Sequence, residues 1–584
     1  MNQRPIYFNS GEAQLFGWLH LNKNIPLRNC GVVICNPNGH EYIHGHRSVR
    51  HLASKISDNG IPTLRFDYHG VGNSTGYDSD NDRINQWQKN IVSAISYLRS
   101  AYGCEKICLI GFRFGASLAA RVSCFEKINF LVLWSPVVNG KKYIRELQTI
   151  ALSAQDTQSF NKNGINSAGI VLSPETIENL KKLNLLEEQF EGIERTLFIH
   201  RDDLQYDDSL VKNLKEQKIP VDEINYSGHV KMMAEPQFNE VPEIAISQIS
   251  DWLIKQTTTA VESDNQLNLK EVTSTIRFQF SDNDSNQYIG EQIHLFGKNK
   301  DIFGVLSFSY KILNDKPIVI LLNSGSVHHV GPHGLYVELA RCLAADGFTT
   351  LRMDLHGLGD SGLKSGYEEN NPYPEFAVSD VEEALSFLKD TFGQNQFILM
   401  GICSGAHTAF HSAIEISNEF NIVETVLINP LTFRWVEGMS LETSSQSTTR
   451  HFQDVAYYKS KIRDPQNWKK ALKGNIQFRY GLKVLYNWLR RLFSSFFNSS
   501  SSTELSRDIQ KLFKRCPSLS LFISQNDPGF DLLLSGAKSL VVKELKSKKI
   551  RVQFIENADH TFSALKARKE LIQKIRSQFK RLFT

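Results

Sequence analysis

The chain has 584 residues, of which 41% are hydrophobic and 22% are charged, and its formal net charge is +4. A chain of this length exceeds what one hydrophobic core usually supports, so two domains, each of fewer than about 300 residues, are expected. The mean hydropathy of −0.29 is typical of an ordinary soluble protein. Because the charge is nearly balanced, the composition gives no support to nucleic acid as a partner.

The sequence shows no targeting or membrane segment and no metal-binding pattern. The segment Met1–Pro5 lacks the apolar stretch of a signal peptide, and no apolar run is long enough for a membrane span. The eight cysteines include no C-x-x-C pair and no histidine partner at zinc-finger spacing, so neither a metal nor a cofactor is predicted. We therefore expect a cytoplasmic protein in which most cysteines are small buried hydrophobic residues.

In chain order, the first predicted element is a hairpin around Phe16-Gly17, and the third strand is followed by a glycine-rich loop at 64–74. The apolar run 106–110 precedes the pentapeptide Gly111-Phe112-Arg113-Phe114-Gly115, and an alanine-rich, helix-like segment follows it. This order of strand, sharp turn and helix is the context of a nucleophile elbow, in which the middle side chain is lifted above a sheet. An arginine occupies the middle position here.

The rest of the first half contains an insertion at about 140–192 and two further predicted strands. The strand at 196–200 precedes Asp202 and Asp203, and His229 follows another strand-like stretch. A helix is predicted at 244–254, and the polar segment 256–270 has the composition of a linker.

A second elbow-like pentapeptide lies in the second half of the chain. The run 396–400 precedes Gly401-Ile402-Cys403-Ser404-Gly405, which carries a cysteine in the middle. Upstream, the predicted strand 318–322 is followed by the loop 323–327. The glycines at the two ends of the pentapeptide allow strand and helix to approach where a side chain would clash. Cys403 is consequently the one cysteine whose context suggests reactivity.

A large insertion is predicted in the second half at about 435–515, where hydrolases with this arrangement of strands place a helical lid. It contains the serine-rich loop 498–503 and a basic, amphipathic stretch at 468–493. Such a stretch is either a solvated face or a surface for anions, a carrier protein or a membrane. The next strand is predicted at 519–524.

The two halves are copies of one domain. The segments 64–74 and 351–361 match one another and are 287 residues apart. The same separation superposes several pairs of identical residues that come earlier in each half. These pairs are Phe16-Gly17 with Phe303-Gly304, Asn36 with Asn323, His46 with His333, and Gly60 with Gly347. An ungapped match over this distance indicates a tandem duplication. We expect one domain at 1–255, a linker at 256–270 and a second domain at 271–584.

Groups that would assist Cys403 follow the later strands of the second copy. Asp527 follows the strand 519–524, and His560 follows a strand at 551–555, so both lie where open α/β sheets build sites. We expect His560 to act as the base and Asp527 to orient it, with Asp531 and Asp559 as alternative acids if Asp527 serves only the turn.

A thiol must become a thiolate before it attacks a carbonyl, and a neighbouring imidazole can take its proton. We expect the oxyanion to be held by the backbone N–H of Ser404 and by the loop containing Ser324 and Gly325. Cys403 could instead be inert, and Ser404 could be proposed as the nucleophile. The side chain of Ser404, at the fourth place of the pentapeptide, should turn away from the site.

In the first copy, Arg113, His229 and Asp202 form the corresponding pseudo-site. A guanidinium remains protonated and only donates hydrogen bonds, so Arg113 cannot attack a carbonyl. Arg113 either forms a structural ion pair, with Asp202, Asp203 or Asp67, or binds an external carboxylate or phosphate. The histidines at 328, 329 and 333 are expected to be loop or surface residues rather than catalysts.

The segments 323–333, 351–361 and 558–562 resemble the α/β-hydrolase superfamily, and more narrowly its serine-aminopeptidase-like branch, which includes exosortase-system-associated hydrolases. The resemblance implies two tandem α/β-hydrolase domains, each a mostly parallel sheet flanked by helices. It also implies a fusion of a cysteine-elbow protein with an arginine-elbow companion, a pseudo-dimer within one chain. The cysteine in place of serine departs from the pattern of ordinary ester or peptide hydrolysis.

The function expected from these residues is acyl transfer through Cys403, His560 and Asp527. Thiolate attack on a thioester exchanges similar leaving groups, whereas an amide must expel a poor one. The expected substrate is therefore an acyl thioester of coenzyme A or of an acyl or peptidyl carrier protein, which is hydrolysed or transferred. The alternatives are a general ester or peptide hydrolase and a noncatalytic scaffold for a biosynthetic or export complex.

Overall fold

A computed structural model describes residues 3–153, 160–161, 164–167, 170–205, 207–259, 273–282, 286–310, 316–416, 418–436 and 503–583. The chain forms two compact units, the first comprising Met1–Lys316, Gly325–Pro372 and Phe562–Thr584 and the second comprising Pro317–Ser324 and Tyr373–Thr561. These units do not follow the boundary of the sequence duplication. The domain bounds 1–255 and 271–584 therefore stay a prediction.

The strands of the described residues are β1 (Gln3–Ser10), β2 (Ala13–His20), β3 (Cys30–Cys35), β4 (Thr63–Phe66), β5 (Lys106–Phe112), β6 (Phe130–Trp134), β7 (Phe160–Asn161), β8 (Gly164–Ser167), β9 (Ile170–Leu172), β10 (Arg195–Arg201), β11 (Val221–Tyr226), β12 (Thr275–Ser281), β13 (Asn286–Phe296), β14 (Ile302–Ser309), β15 (Ile318–Leu322), β16 (Thr350–Met353), β17 (Gln396–Ile402), β18 (Asn421–Ile428), β19 (Leu519–Ser524) and β20 (Ile550–Ile555).

The helices are α1 (His40–Ser57), α2 (Arg83–Tyr102), α3 (Phe114–Val122), α4 (Gly140–Ser153), α5 (Pro174–Lys181), α6 (Ser209–Glu216), α7 (His229–Met232), α8 (Glu243–Gln256), α9 (Leu335–Ala345), α10 (Ala377–Phe392), α11 (Ser404–Glu415), α12 (Glu504–Arg515), α13 (Gly529–Lys546) and α14 (Leu565–Leu582). None of these helices combines the length and the apolar character that crossing a bilayer requires.

The first unit contains an eight-stranded sheet in the order β1-β2-β4-β3-β5-β6-β10-β11. The pairs β1 with β2 and β2 with β4 are antiparallel, and the pairs from β4 to β11 are parallel. Strand β3 is buried along its whole length, as expected for a parallel strand covered on both faces. Its side chains alternate between two cores, since Val33 packs with residues of α2 and α3, and Val32 packs with residues of α1 and α8.

The first unit also contains the antiparallel series β12, β13, β14 and β16. Its apolar side chains share a core with β1 and β2, composed of Tyr7, Phe16, Trp18, Ile276, Ile293, Phe303 and Val305. Phe16 and Phe303, which are equivalent in the duplication, contact one another with ring centroids 5.9 Å apart. Contact between equivalent residues is the property of an interface with two-fold symmetry.

Two further contacts in this unit are also related to one another by the duplication. Arg65 binds Asp360, and Arg352 Nη1 donates to Asn73 Oδ1 at 2.7 Å. A separation of 287 residues relates Arg65 to Arg352 and Asn73 to Asp360. The two contacts are thus equivalent in position, although one partner is an amide and the other a carboxylate.

The loops that follow β4 and β16 have the same hydrogen bonds in both copies. Asp67 Oδ2 accepts from the N–H of Asn73 at 2.9 Å, and Asp354 Oδ2 accepts from the N–H of Asp360 at 3.0 Å. The next residue is a serine in both copies. The Ser74 hydroxyl donates to the backbone carbonyl of Asp67, and the Ser361 hydroxyl donates to that of Asp354, each at 2.6 Å. This agreement in atomic detail confirms the tandem duplication.

The second unit contains five strands in the order β15-β17-β18-β19-β20, all parallel. Helices α10, α11, α12 and α13 belong to the same unit. Strands β15 and β19 are fully buried, which accounts for their nearly continuous apolar sequences. The predicted α/β class, with mostly parallel sheets flanked by helices, is confirmed.

Two predicted segments fall mainly outside the described residues. Of the insertion at about 435–515, only 435–436 and 503–515 are described, the latter containing α12, and the basic stretch 468–493 lies outside. The linker at 256–270 is described as far as residue 259. The helical lid therefore stays a prediction.

Candidate active site and its disarmed counterpart

Cys403 occupies a strained turn between β17 and α11. Its backbone angles are φ 58° and ψ −116°, a conformation that residues other than glycine rarely adopt. A Cβ added at Gly405 would lie 2.5 Å from the carbonyl oxygen of Leu322, and one at Gly401 would lie 2.2 Å from Gly405. Because the neighbouring backbone cannot move aside cheaply, glycine is required at both positions. This is the geometry predicted for a nucleophile elbow.

His560 and Asp527 meet in the second unit. His560 Nδ1 lies 2.6 Å from Asp527 Oδ2, and the Asp527 side chain is only 4% exposed. The other oxygen of Asp527 accepts from the N–H of Gly529 at 3.1 Å. Asp531, an alternative acid, lies in the first turn of α13. The pairing favours Asp527 as the group that orients His560.

The loop carrying His560 is held by Asn429 at the end of β18. The Asn429 amide donates to the His560 carbonyl at 2.8 Å and accepts from the N–H of Ser524 at 2.8 Å. The Ser524 hydroxyl in turn donates to the carbonyl of Asp559 at 2.9 Å. Asp559 thus supports the histidine loop through its backbone.

Burial by itself would lower the pKa of His560. The hydrogen bond with Asp527 and the interaction with Cys403 outweigh it and hold the pKa of His560 well above its usual range. The other ring nitrogen, Nε2, is buried and forms no regular hydrogen bond within the described residues. It is therefore the nitrogen left for the Cys403 side chain, with which His560 interacts.

Of the three residues predicted for the oxyanion site, two belong to the second unit and one belongs to the first. Ser404 is the first residue of α11 and is buried, and its hydroxyl donates to the Asn323 carbonyl at 3.5 Å. Ser324, also buried, belongs to the second unit. Gly325 belongs to the first unit and has φ +58°, which favours glycine. The direction of the Ser404 hydroxyl agrees with the prediction that it turns away from the nucleophile position.

Tyr373 contacts the candidate nucleophile, and the sequence did not indicate it. It is buried, and its hydroxyl interacts with Cys403. Its ring stacks on Trp435, with centroids 4.2 Å apart. No motif surrounds Tyr373 in the sequence. Tyr373 and Trp435 are 62 positions apart, so their spacing does not indicate that they meet.

Arg113 occupies the equivalent elbow of the first copy. Its backbone angles are φ 52° and ψ −120°, and a Cβ added at Gly115 would lie 2.1 Å from the Cys35 carbonyl oxygen. Arg113 Nε donates to Glu41 at 2.5 Å and Nη2 donates to Glu146 at 2.6 Å. Burial would lower the pKa of Arg113, but the two glutamates outweigh it and raise the pKa.

These partners correct the prediction of an ion pair with Asp202, Asp203 or Asp67. Asp202 accepts from the backbone N–H groups of Gly228, at 2.8 Å, and His229, at 3.2 Å. Asp203 pairs with Arg201, and Asp67 accepts from the Tyr42 hydroxyl at 2.7 Å. Each predicted acid is therefore engaged elsewhere.

His229 is buried and differs from His560 in its surroundings. Asp202 contacts its backbone, and its Nδ1 forms no hydrogen bond within the described part of the chain. Burial, followed by the neighbouring Arg201, lowers the pKa of His229 to about 4. The pseudo-site therefore holds a neutral imidazole. Among the described residues no carboxylate hydrogen-bonds with this ring, although Asp203 and Asp202 act on it electrostatically.

His328 and His329 were expected to be loop or surface residues, and the structure places both in a buried part of a loop. Both lie in a loop, but they are 3% and 1% exposed. The ring of His328 stacks on that of His46 at 4.0 Å, and burial lowers the pKa of His328 well below its usual range. His333 has φ +55° and is partly exposed. Ring contacts with Tyr42 and His46 of α1 and with Phe303 of β14 account for the burial, which a loop sequence does not reveal.

His329, Asp354 and Asp360 bring ligand-type atoms within 4.8 Å of one another. However, Asp360 binds the Arg65 guanidinium, and His329 Nε2 lies 2.8 Å from the Asn73 amide. His329 Nδ1 lies 2.7 Å from Asp354. A guanidinium already neutralises the carboxylate that a cation would need, so the donor set fits a buried polar network better than a metal centre.

All eight cysteines are free thiols. Cys124 and Cys403 are half-buried, and the remaining six are buried, as predicted for most of them. For Cys124, burial raises the pKa to about 12. A thiolate is therefore disfavoured at Cys124.

The parallel sheets and the strained elbows define an α/β hydrolase. The chain belongs to the family described as serine aminopeptidase, S33, whose model matches residues 31–189 and 315–480, together more than half of the chain. The match includes both elbows. It supports a hydrolase-type enzyme of the esterase and peptidase group, and the narrower resemblance to exosortase-associated proteins stays a prediction.

Solved structures resemble parts of the chain at low sequence identity. Est1E from Butyrivibrio proteoclasticus, with bound ferulic acid, is 17% identical over 43% of this chain and 98% of that chain, with a TM-score of 0.33. The α/β serine hydrolase XC6422 from Xanthomonas campestris is 13% identical over 45% and 98%, with a TM-score of 0.31. Proline iminopeptidase from Mycobacterium smegmatis is 12% identical over 44% and 98%, with a TM-score of 0.31. No curated protein matches the chain.

Proposed function

We propose that the chain catalyses acyl transfer from an acyl thioester, with Cys403 as nucleophile, His560 as base and Asp527 as the orienting acid. The arrangement of these three side chains carries the proposal, because Asp527 pairs with His560 at 2.6 Å and the same ring interacts with Cys403. A cysteine at a strained elbow next to an imidazole has the requirements of an activated thiol.

In the first step, the Cys403 thiolate attacks the thioester carbonyl and forms a new carbon–sulfur bond. The electron pair of the carbonyl moves to its oxygen, which backbone N–H groups at Ser404 and Ser324 are proposed to stabilise. The intermediate then expels the substrate thiolate, which takes the proton from the His560 imidazolium. An acyl-Cys403 enzyme and a free thiol result.

In the second step, water or an acceptor nucleophile attacks the acyl-Cys403 carbonyl while His560 accepts its proton. The Cys403 thiolate leaves, and the imidazolium is formed again. Water gives a thioesterase and another nucleophile gives an acyltransferase. Coenzyme A or an acyl or peptidyl carrier protein is the proposed source of the thioester.

A thioester is favoured over an amide because its leaving group resembles the attacking thiolate. Acylation of Cys403 by a thioester is nearly balanced in free energy, whereas an amide needs strong acid assistance to release an amine. A general ester or peptide hydrolase is the first alternative. If Ser404 were its nucleophile, its hydroxyl would have to leave the Asn323 carbonyl to which it donates.

The first copy is proposed to be noncatalytic. Glu41 and Glu146 already neutralise Arg113, which disfavours binding of an external carboxylate or phosphate there. The contacts between equivalent residues, such as Phe16 with Phe303, support a pseudo-dimer formed within one chain. If both copies were noncatalytic, the chain would be a scaffold for other proteins. A cytoplasmic location stays a prediction.

Intact-mass analysis tests the proposal. The full chain is incubated with acyl-coenzyme A thioesters of increasing chain length and with an acylated carrier protein, and we expect an adduct equal in mass to the acyl group. The adduct should be absent in Cys403→Ala. In His560→Gln the rate of its formation should fall by at least about 100-fold, the usual contribution of a general base.

Cys124→Ala is the matched control, since Cys124 is the other half-buried cysteine and its thiol is not activated. It should form the adduct at the wild-type rate. An adduct that persists in Cys403→Ala would contradict the proposal. Loss of activity in Ser404→Ala with full activity in Cys403→Ala would favour a serine hydrolase, and no turnover of any ester or thioester would favour the scaffold.

A further inference from the structure

Tyr373 is fixed beside the candidate nucleophile by contacts on both of its sides. The residue precedes α10 and is 6% exposed. Its ring lies parallel to that of Trp435, with an interplanar angle of 4°, and meets the ring of His407 edge-on with centroids 5.2 Å apart. A side chain packed in this way loses little further freedom when its hydroxyl forms a hydrogen bond.

The Tyr373 ring meets His407, on the first turn of the helix that begins directly after Cys403. Its hydroxyl interacts with the thiol of Cys403. His560 interacts with the same sulfur. Two groups able to donate hydrogen bonds therefore converge on one sulfur atom in the second unit. A hydrogen bond to a charged acceptor contributes more than one between neutral groups.

We propose that Tyr373 is a catalytic residue that donates its hydroxyl hydrogen bond to the Cys403 thiolate, before attack and again when the thiolate leaves the acyl-enzyme. The inference rests on the proposed nucleophilic role of Cys403 and deepens it. No bond to Tyr373 forms or breaks, and its proton stays on the phenol oxygen throughout. The proton exchanged during the reaction moves only between His560 and the substrate groups.

The surroundings of Tyr373 support a donor rather than a base. Burial, followed by the interaction with Cys403, raises the pKa of Tyr373 above its usual range. For His407, burial followed by the neighbouring His411 lowers the pKa to about 3. His407 is therefore neutral near neutral pH, so it supports the tyrosine ring without competing with His560 for the thiol proton.

Alkylation of Cys403 by iodoacetamide tests the inference without any acyl substrate. The full chain is alkylated over a range of pH, and the Cys403 peptide is quantified by mass spectrometry. Tyr373→Phe keeps the packed ring and removes only the hydroxyl. We expect the pH midpoint of alkylation to rise by about one unit, and acyl-adduct formation to slow about 10-fold, as for loss of one hydrogen bond to a charged group.

Tyr288→Phe is the matched control, because the Tyr288 side chain lies on β13 and is 51% exposed. It should leave the midpoint unchanged. Trp435→Leu removes the stacking partner but keeps the hydroxyl, so a smaller shift of the same sign is expected. If Tyr373→Phe does not fold, as judged by thermal unfolding, Trp435→Leu decides the question by the same measurement.

An unchanged midpoint in Tyr373→Phe, or in Trp435→Leu where that variant decides, would overturn the inference. If the midpoint shifts but no acyl adduct forms in the wild type, the role of Tyr373 toward the sulfur stands and the thioester substrate falls. If the adduct forms at equal rates in the wild type and in Tyr373→Phe, and the midpoint does not move, the proposed function stands and the inference falls.

Discussion

Cys403 and Arg113 have nearly the same backbone angles, φ 58° and ψ −116° against φ 52° and ψ −120°. In both elbows the last glycine of the pentapeptide, Gly405 or Gly115, lies against the end of the neighbouring strand of the sheet. A Cβ at either glycine would lie 2.5 Å or less from a backbone carbonyl oxygen of that strand. The backbone of an elbow thus depends on local glycines and on a strand followed by a helix. It does not depend on the reactivity of the residue it presents.

The surroundings of the two side chains come from distant segments, and there the copies differ. His560 has Asp527 on its ring, whereas Asp202 binds only backbone N–H groups near His229. The glutamates that pair with Arg113 come from α1 and α4. The proposed absence of catalysis in the first copy therefore involves the supporting residues as well as the nucleophile, while the fold is kept.

Among variants that test this difference between the copies, Asp527→Asn is expected to have the largest effect, which is on the rate of acyl transfer. An amide cannot hold His560 in the required tautomer or stabilise its imidazolium, so acyl transfer should fall by about 10³- to 10⁴-fold. Asp202→Asn, the equivalent change in the first copy, should leave the rate unchanged. Initial rates of acyl-adduct formation, with thermal unfolding of each variant as a check on folding, measure both. Equal losses in the two variants would mean that the first copy takes part in catalysis.

Replacement of Arg113 should affect stability instead. Arg113→Met leaves the carboxylate of Glu41, itself 5% exposed, buried without its cation, and we expect a loss of about 3–5 kcal/mol in the free energy of unfolding. Denaturant titration measures the loss. Arg121→Met is the control, because Arg121 pairs with Glu188 at a more exposed position, and the expected loss is below about 1 kcal/mol.

Two further variants sharpen this prediction. Arg113→Met combined with Glu41→Leu removes both buried charges and should recover much of the stability, since a buried ion pair replaced by apolar groups is often neutral. Arg113→Cys should form no acyl adduct, because the pKa of His229 is lowered to about 4 and no described carboxylate hydrogen-bonds with its ring. An adduct in Arg113→Cys would show that the nucleophile alone distinguishes the copies.

The sequence predicted those parts of the fold and site that depend on local pattern. Buried parallel strands give apolar runs, so β15 and β19 were predicted at 318–322 and 519–524 with the bounds that the structure has. Polar residues at the carboxyl ends of such strands must lie near one another. The pairing of His560 with Asp527 follows from that rule.

Contacts between distant segments could not be predicted in the same way. Glu41 lies 72 positions before Arg113, near the start of α1, and no spacing rule links a helix start to an elbow. Tyr373 shares no motif with Cys403. Packing of Phe16 against Phe303 could have been suspected from their equivalence, but a duplication does not reveal which faces the copies share.

The smallest effect expected is a difference in pH dependence between the two histidines. His229 has a pKa lowered to about 4, below the unfolded value of about 6.5, so its proton is excluded from the folded state. Above about pH 6.5 the ring is neutral in both states and contributes nothing to the pH dependence. As the pH falls from about 6.5 to about 4, the unfolded chain binds a proton that the folded chain does not, and stability falls.

At about pH 5 this difference amounts to about 1–2 kcal/mol, and His229→Asn should remove that share of the loss. His560 has the opposite sign, because its pKa is raised: its contribution is fully present below about pH 6.5 and is lost as the pH rises through the folded value. Denaturant titrations at about pH 5, 7 and 9 of the wild type, His229→Asn and His560→Asn measure both slopes. If His229→Asn leaves the acid slope unchanged, the ring is hydrated in the folded state, and the two copies differ less at their histidines than at their elbows.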